Sequence, residues 1–581
     1  MTTTHRRALG AGIAVTAVAA LVAATPAFAG AAPTKGNPNL TTVQLLSIND
    51  YHGNLEALSS MRLAADVDPA RTFAGGSQNL ATELAALRLE AGGDAKSLTV
   101  AAGDLIGGSA FISGIFHDEP SVESLNAMGL DVSSVGNHEF DEGTTELLRM
   151  QEGGCHPVDG CYFPGKPYAG ADFPWLAANV VNKDGSGTLL PGTWVKEISG
   201  TKVGFIGMTL EATPTIVNPS GVSTVDFKDE VETANAQAAV LKKQGVKAIV
   251  VLLHEGGLNS GTYNQCVGIS DPIATMATQF SPEIDQIVTG HTHDPYICSI
   301  PDPAGNPRLV TSSAAQGMTV TETSLVINTR SGEVDRGRTT AENHVVPQDL
   351  KDDPAQTAII DKWNTLAGPL KKLVVGTTAG PITGDGVNDV TCRCVETPMV
   401  DVVADAILHN TKSLGAQLAL MNVGGVRANL AQIKYGEQEN ETTYAEAFDI
   451  APFGNVYVAL DLTGAQLKEV LEQQYQPVAD RGSRPTLALG VSNGFTYTWD
   501  ASKPQGSRVV PGSMKLDGTA ITDTQTVRVG TLNFLADGGD LFTAFKAGTN
   551  RVGGIGDLEG LVAYFKATPG LPVPADRIAG L

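Results

Sequence analysis

Five loops constrain this chain more than any other feature. Each follows an apolar run and carries Asp or His: Asn49-Asp50-Tyr51-His52-Gly53, Gly103-Asp104, Gly136-Asn137-His138-Glu139-Phe140-Asp141, Leu253-His254-Glu255 and Gly290-His291-Thr292-His293. The chain has 10 histidines, and five of them lie in these loops. An α/β fold builds its site at the carboxyl ends of its strands, so five such loops in order predict one shared polar centre. Residues i and i+2 of a strand face the same way, which lets Asp50 and His52 converge on one ion, and likewise His291 and His293. Carboxylate, imidazole and the amide oxygen of Asn137 suit Zn, Mn, Fe or Co better than Ca or Mg. The seven candidate ligands (Asp50, His52, Asp104, Asn137, His254, His291, His293) are too many for one tetrahedral ion and about right for two. Asp104 is the candidate bridge, because its glycine-rich loop lets backbone come close. Asp141 lies three residues beyond His138, near enough to fix the ring's tautomer and orientation. Taken singly these signals are weak: Asn-His is ordinary turn chemistry, Gly-Asp can start a turn, and His254 can be a satisfied core histidine. Their company is what points to a dinuclear centre.

The rest of the chain gives the loops a frame. At 581 residues it needs two or more cores. Strands are expected at Val43–Ile48, Leu98–Ala102, Trp175–Val181, Val195–Ile198, Lys202–Met208, Ala248–Leu253, Ile284–Thr289, Arg308–Thr311 and Thr319–Ile327. Helices are expected from Ser77, as cap, to Glu90, and over Asp229–Gln244. This first domain spans 40–348, and a polar helix with Ile359, Trp363 and Leu366 at helical spacing connects it, over 349–373, to a second domain at 374–581. There, helices are expected at Met399–His409 and Gly464–Gln474, and strands at Gln417–Met421, Val456–Leu460, Phe495–Trp499, Arg508–Leu516 and Thr526–Gly530.

Arg6-Arg7, the apolar run Ala8 to Ala24 and Ala27-Phe28-Ala29 read as a signal peptide over 1–29, cleaved near Gly30, so a secreted or cell-envelope protein without stable membrane insertion is expected. The six cysteines all follow that segment; proximity favours 155–161 and 266–298, leaving 392–394 as a strained i,i+2 pair. A formal charge of −23 argues against a nucleic-acid partner. A monomer is expected.

The order Asp-x-His, Gly-Asp, Gly-Asn-His-Glu, His, Gly-His-x-His resembles the calcineurin-like metallophosphoesterases. The longer strings Ser47-Ile48-Asn49-Asp50-Tyr51-His52-Gly53 and Gly136 to Asp141 are similar to the secreted 5'-nucleotidases and UDP-sugar hydrolases. In the second domain Asn422-Val423-Gly424-Gly425-Val426-Arg427, Pro452-Phe453-Gly454 and the run Asn533 to Asp540 resemble the motifs of the same branch. The resemblance implies a four-layer α/β/β/α catalytic domain and an α/β nucleotide-binding domain. It implies that Asp50, His52 and His293 hold one divalent metal, Asn137, His254 and His291 another, and that Asp104 bridges. His138, held by Asp141, would act on the phosphoryl group or leaving alkoxide. The Asn422 motif, Arg393 and Arg427 would bind phosphate or the nucleotide's polar groups, Phe453 and Phe534 would sandwich the base, and Asp540 would take ribose hydroxyls. The chain departs from the pattern at Val423, which stands for a glycine, at Pro398 and Val400, and at Asp389, where some members carry arginine. The activity implied is phosphate release from nucleoside 5'-monophosphates, with UDP-sugars or 2',3'-cyclic nucleotides as further substrates. The rivals are a thiosulfohydrolase of the same superfamily, against which Phe453 and Phe534 speak, and a non-catalytic nucleotide- or metal-binding surface protein, which has no need of His138 and Asp141.

Overall fold

The structure is a computed structural model and describes residues 39–58, 61–218, 221–386, 393–481 and 484–581. The expected signal peptide, Asp389 and Cys392 lie outside them.

The first domain is two stacked sheets between helices. One sheet runs Thr340–Val345, Thr319–Asn328, Leu40–Ile48, Ser97–Ala102, Val132–Ser134, Trp175–Leu176 from edge to edge. The other runs Tyr296–Ser299, Leu309–Ser312, Gln286–Thr289, Ala248–His254, Thr201–Thr209, Thr193–Ile198. Central pairings are parallel, such as Leu45 with Leu98 and Val251 with Ile287. Alternation sorts each strand's side chains by face. Val43, Leu45, Val100, Phe205, Val250 and Leu252 meet between the sheets. Leu46 and Ile48 point outward to Leu80, Leu84 and Leu125, while Ile206, Val251 and Leu253 point to Ala234, Ala238 and Leu241. Because both faces are covered, Ala248–His254 is buried throughout and reads as a continuous apolar run rather than an alternating one. The four layers α/β/β/α follow.

The helix Pro354–Lys371 starts at Asp353, whose carboxylate accepts from the amides of Ala355 and Gln356. It is a member of the first domain's outer layer as well as a connection. Gln356 and Ser124 exchange hydrogen bonds at 2.6 and 3.0 Å, and the Trp363 indole donates to Glu123 at 2.8 Å.

In the second domain a five-stranded sheet runs Leu489–Val491, Leu418–Asn422, Thr526–Leu532, Val456–Thr463, Thr549–Gly556. Helices Pro398–Thr411 and Asp557–Ala567 pack on one face and Gly464–Glu472 on the other. Phe448 and Tyr444 of this domain reach across to Phe111 of the first, at 5.6 and 6.2 Å between ring centroids.

Several local expectations are corrected. Ser77 does not cap its helix: Gly76, at φ 91°, occupies that position and Ser77 is buried as the first helical residue. Trp175–Val181 is two strands, Trp175–Leu176 and Val180–Asn182, in different sheets. Of Arg508–Leu516 only Lys515–Leu516 is a strand, with an isolated bridge from Val509 to Trp499. Cys155–Cys161 and Cys266–Cys298 are disulfide-bonded. No helix among the described residues is long and apolar enough to cross a membrane.

Candidate dinuclear active site

The five loops converge at the strand ends. Asp50, His52 and His293 form one group of facing ligand atoms, and Asp104, His254 and His291 another, each group lying within 4.8 Å. His52 Nε2 is 3.3 Å from His293 Nε2, and His293 Nε2 is 3.4 Å from Asp50 Oδ1. Asn137 Oδ1 joins the second group, 2.9 Å from His291 Nδ1. Asp104 Oδ2 lies 2.9 Å from His254 Nε2 and 3.8 Å from His52 Nε2, so it faces both groups.

Backbone geometry makes this convergence possible. Asp50, His52, Asp104, His291 and His293 all have φ between 48° and 71°, a region that non-glycine residues visit rarely and at a cost. Asn49 holds Asp50 at 2.7 Å and is itself fixed by Ser313, whose backbone amide and hydroxyl donate to Asn49 Oδ1 at 2.8 and 2.6 Å. The Glu139 carboxylate accepts from the amides of Asp104, Leu105 and Gly136 at 2.9, 2.8 and 2.5 Å, tying two ligand loops together. A side chain on Gly136 would come within 2.2 Å of Asp104 Oδ1, so only glycine fits there.

These donors suit cations. His254 Nε2 is buried without a well-aligned hydrogen bond and points at the shared space, 2.9 Å from Asp104 Oδ2. Its other nitrogen is held by the Ala102 carbonyl at 2.7 Å, as the His52 ring is held by that of Gly107 at 2.7 Å. Such outer contacts orient metal-ligating imidazoles. Burial pushes His52 down to about 3 and also lowers His291 and His293. Burial opposes charge on Asp50 and Asp104 too, but the neighbouring histidines, His293 for Asp50 and His254 for Asp104, outweigh it and keep both well below the usual carboxylate range. Ionised carboxylates beside neutral imidazoles are the state that metal binding requires. His254 is the exception: against its burial, Asp104 raises it to about 10, so an ion there must displace a proton.

Beside the ligands, His138 Nδ1 is 2.8 Å from Asp141 Oδ2, which also accepts from the Gly108 amide at 3.0 Å. Burial opposes charge on the ring, yet Asp141 and Asp104 raise its pKa above the ordinary value.

A cavity of about 980 Å³ extends from these residues to the second domain, where Arg393, Asn422, Arg427, Phe453, Phe534 and Asp540 line it. The Phe453 ring lies nearly parallel to His138, 5.6 Å away, and the Arg427 guanidinium is 5.7 Å from the same ring. Asn422 donates to Asp540 Oδ2 at 2.6 Å, and Arg393 donates to the Gly386 carbonyl at 2.8 Å. Of the sequence-derived candidates, Asp104, Asn137, His138, Asp141, His291, His293 and the six of the second domain border this space, while Asp50, His52 and His254 are buried beside them. Arg484 borders it too, donating to the Thr292 carbonyl between the two histidines of that loop at 3.4 Å. Nothing in its stretch of sequence marks it, since a lone arginine after a loop is usually a solvated ion pair.

Stacked sheets bearing two facing ligand groups, closed by an α/β domain with aromatic and guanidinium side chains, define a two-domain metallophosphoesterase. Residues 44–295 match the calcineurin-like phosphoesterase family and residues 374–547 the 5'-nucleotidase C-terminal domain. The chain belongs to this family of phosphoesterases with a 5'-nucleotidase C-terminal domain. It is 33% identical over 529 residues to Endonuclease YhcR of Bacillus subtilis, covering 90% of this chain and 40% of that protein. It is 32% identical over 561 residues to Cell wall protein Lmo0130 of Listeria monocytogenes, covering 90% and 67%. Among solved structures, a 5'-nucleotidase precursor from Thermus thermophilus superposes with a TM-score of 0.73 at 25% identity, covering 93% of this chain and 99% of the other.

Proposed function

We propose that this chain is an exported two-metal phosphohydrolase that releases phosphate from nucleoside 5'-monophosphates. The observation that carries the reading is one cavity lined by Asp104, Asn137, His138, His291 and His293 on one side and by Arg393, Arg427, Phe453 and Phe534 on the other. Asp50, His52 and His293 would hold one ion, Asn137, His254 and His291 the other, and Asp104 both. When bound, the ions supply Lewis-acid polarisation of the phosphoryl oxygens. The protein's own groups do the rest. Asp141 holds His138 through Nδ1, so its other nitrogen is available to donate a proton to the departing 5'-oxygen or to stabilise the phosphoryl charge. Arg427 and Arg393 grip phosphate oxygens, the Phe453 and Phe534 rings take the base between them, and Asp540, oriented by Asn422, accepts ribose hydroxyls.

Export is supported by the signal-like leader and by the two disulfides. The endonuclease name belongs to a protein of which this chain spans 40%, and a charge of −23 disfavours a polynucleotide. Purified mature protein, stripped by chelator and reloaded with zinc or manganese, should release phosphate from AMP only when reloaded. Failure with AMP and other 5'-nucleotides, alongside turnover of single-stranded DNA or of a sulfur ester, overturns the reading.

A further inference from the structure

A second cluster of ligand-type side chains lies outside the centre already described. One nitrogen each from His117 and His156 and one oxygen each from Glu142 and Glu146 fall within 4.8 Å of one another. They come from three separate segments. His117 follows the short helix Phe111–Gly114, Glu142 and Glu146 stand at the start of helix Gly143–Glu152, and His156 sits in the loop closed by Cys155–Cys161. His117, Glu142 and Glu146 also form part of the cavity wall.

Charge in the cluster is unbalanced. Glu119, Glu142, Glu146 and Asp159 bring four carboxylates together, and among the described residues Arg149 is the permanent cation that bonds them, at 2.8 Å to Glu119 and 2.6 Å to Glu146. The balance falls to His117, whose Nδ1 is 2.7 Å from Glu142 and whose Nε2 is 2.7 Å from Asp159. A ring that donates on both sides is an imidazolium. Burial opposes that charge, yet the Glu142 and Asp159 contacts raise the group to about 9. His156 stacks on it at 3.7 Å and 20°, with Nδ1 accepting from the Asp159 amide at 3.1 Å, and burial and the His117 charge push its pKa down.

An ion-pair network accounts for His117, while His156 stacks on that cation and accepts the Asp159 amide through Nδ1. A divalent ion would replace the His117 proton and neutralise the carboxylate surplus, and with the stacked rings turned toward it would take a lone pair from each imidazole. Two imidazoles and two carboxylates suit zinc or a similar transition ion. We propose that His117, Glu142, Glu146 and His156 form a third cation site that pins the 155–161 loop to the start of helix Gly143–Glu152. Asp159, within 3.5 Å of a nitrogen of each ring, is the spare ligand. Glu142 directly follows Asp141, so an ion here would also stiffen the segment that holds His138.

The test counts ions by difference, so it does not depend on the catalytic pair. Full-length mature protein is saturated with zinc and desalted, and its zinc is measured by plasma mass spectrometry. His117→Ala, His156→Ala and the size-conserving Glu142→Gln are each made in the wild-type and Asp104→Asn backgrounds. Each should hold one zinc fewer than its parent, and the cobalt-loaded histidine variants should show weaker visible absorbance than their cobalt-loaded parents. Equal zinc in parents and variants that remain folded by circular dichroism, in either background, overturns the third site and leaves the two-metal reading untouched.

Discussion

His138 shows what a single residue can be asked. Its ring touches Asp141, stands 5.1 Å from the His52 ring and contributes no atom to either ligand group. His138→Ala should therefore lower kcat by ~10²–10⁴ while metal content stays at the parental value, and loss of metal would make it a ligand instead. Asp104→Asn should do the reverse and disturb both ions, which metal analysis reads directly. Phe453→Ala or Phe534→Ala should cost ~1–3 kcal/mol in nucleotide binding and much less with an aryl phosphate that has no base; equal losses on both would make the rings core. At this scale the convergence of the five loops was legible because each carries its Asp or His in a short motif at the end of an apolar run. Glu139 and Asn49 were visible as letters, but their work lies in hydrogen bonds to Gly136, Leu105 and Ser313 that only folding creates. Arg484 was not legible, because its task depends on a loop 192 residues away.

Helices and strands repeat that lesson with different physics. Long apolar runs such as Ala248–His254 announce themselves, whereas Val180–Asn182 splits from Trp175–Leu176 because its partner is Val225–Phe227 rather than the main sheet. Edge strand Thr549–Gly556 carries little apolar signal in the sequence, since its side chains are nearly all exposed and four of its residues are Gly or Asn. Helix Pro398–Thr411 carries a testable device. Its Asp401 is buried, accepts from the Val491 amide at 3.0 Å and lies 3.7 Å from Arg577, which pairs with Asp405. Burial, then the Glu396 charge, push Asp401 up to about 9. The folded state thus keeps a proton that the unfolded chain releases near the ordinary value of 3.8, and stability must fall as pH rises through that window. Urea unfolding should show the Asp401 contribution to stability dropping between about pH 4 and about pH 9, and Asp401→Asn, which keeps an acceptor for Val491, should flatten that slope. An unchanged slope would mean that the Arg577 pairing, not the proton, stabilises the helix.

The molecule as a whole divides its chemistry between two domains. The candidate metal ligands and His138 belong to the first, and the aromatic and arginine groups to the second, so on the proposed reading substrate must touch both at once. The contact between the domains is uneven. On one side Phe111 packs against Phe448 and Tyr444, and its amide donates to Asp449 at 3.2 Å. On the cleft side the contacts are polar or loose, namely Arg484 to the Thr292 carbonyl at 3.4 Å and Phe453 beside His138 at 5.6 Å. Lys371 is clamped to Glu56, which fixes the last turn of helix Pro354–Lys371 to the first domain. The chain is first free to bend after that, between Lys372 and Val374. Interfaces that are apolar on one side and polar on the other open on the polar side at little cost. The second domain should therefore rotate about Lys372–Val374, with Phe448 rolling on Phe111, to admit substrate and then carry it onto the metals. A cysteine in the 451–455 loop paired with one in the 106–110 loop, oxidised in the absence of nucleotide, should abolish turnover, and reduction should restore it. The same pair oxidised over bound nucleotide should allow one turnover and no more. Full steady-state activity in the oxidised protein would show that substrate reaches the metals without any rotation.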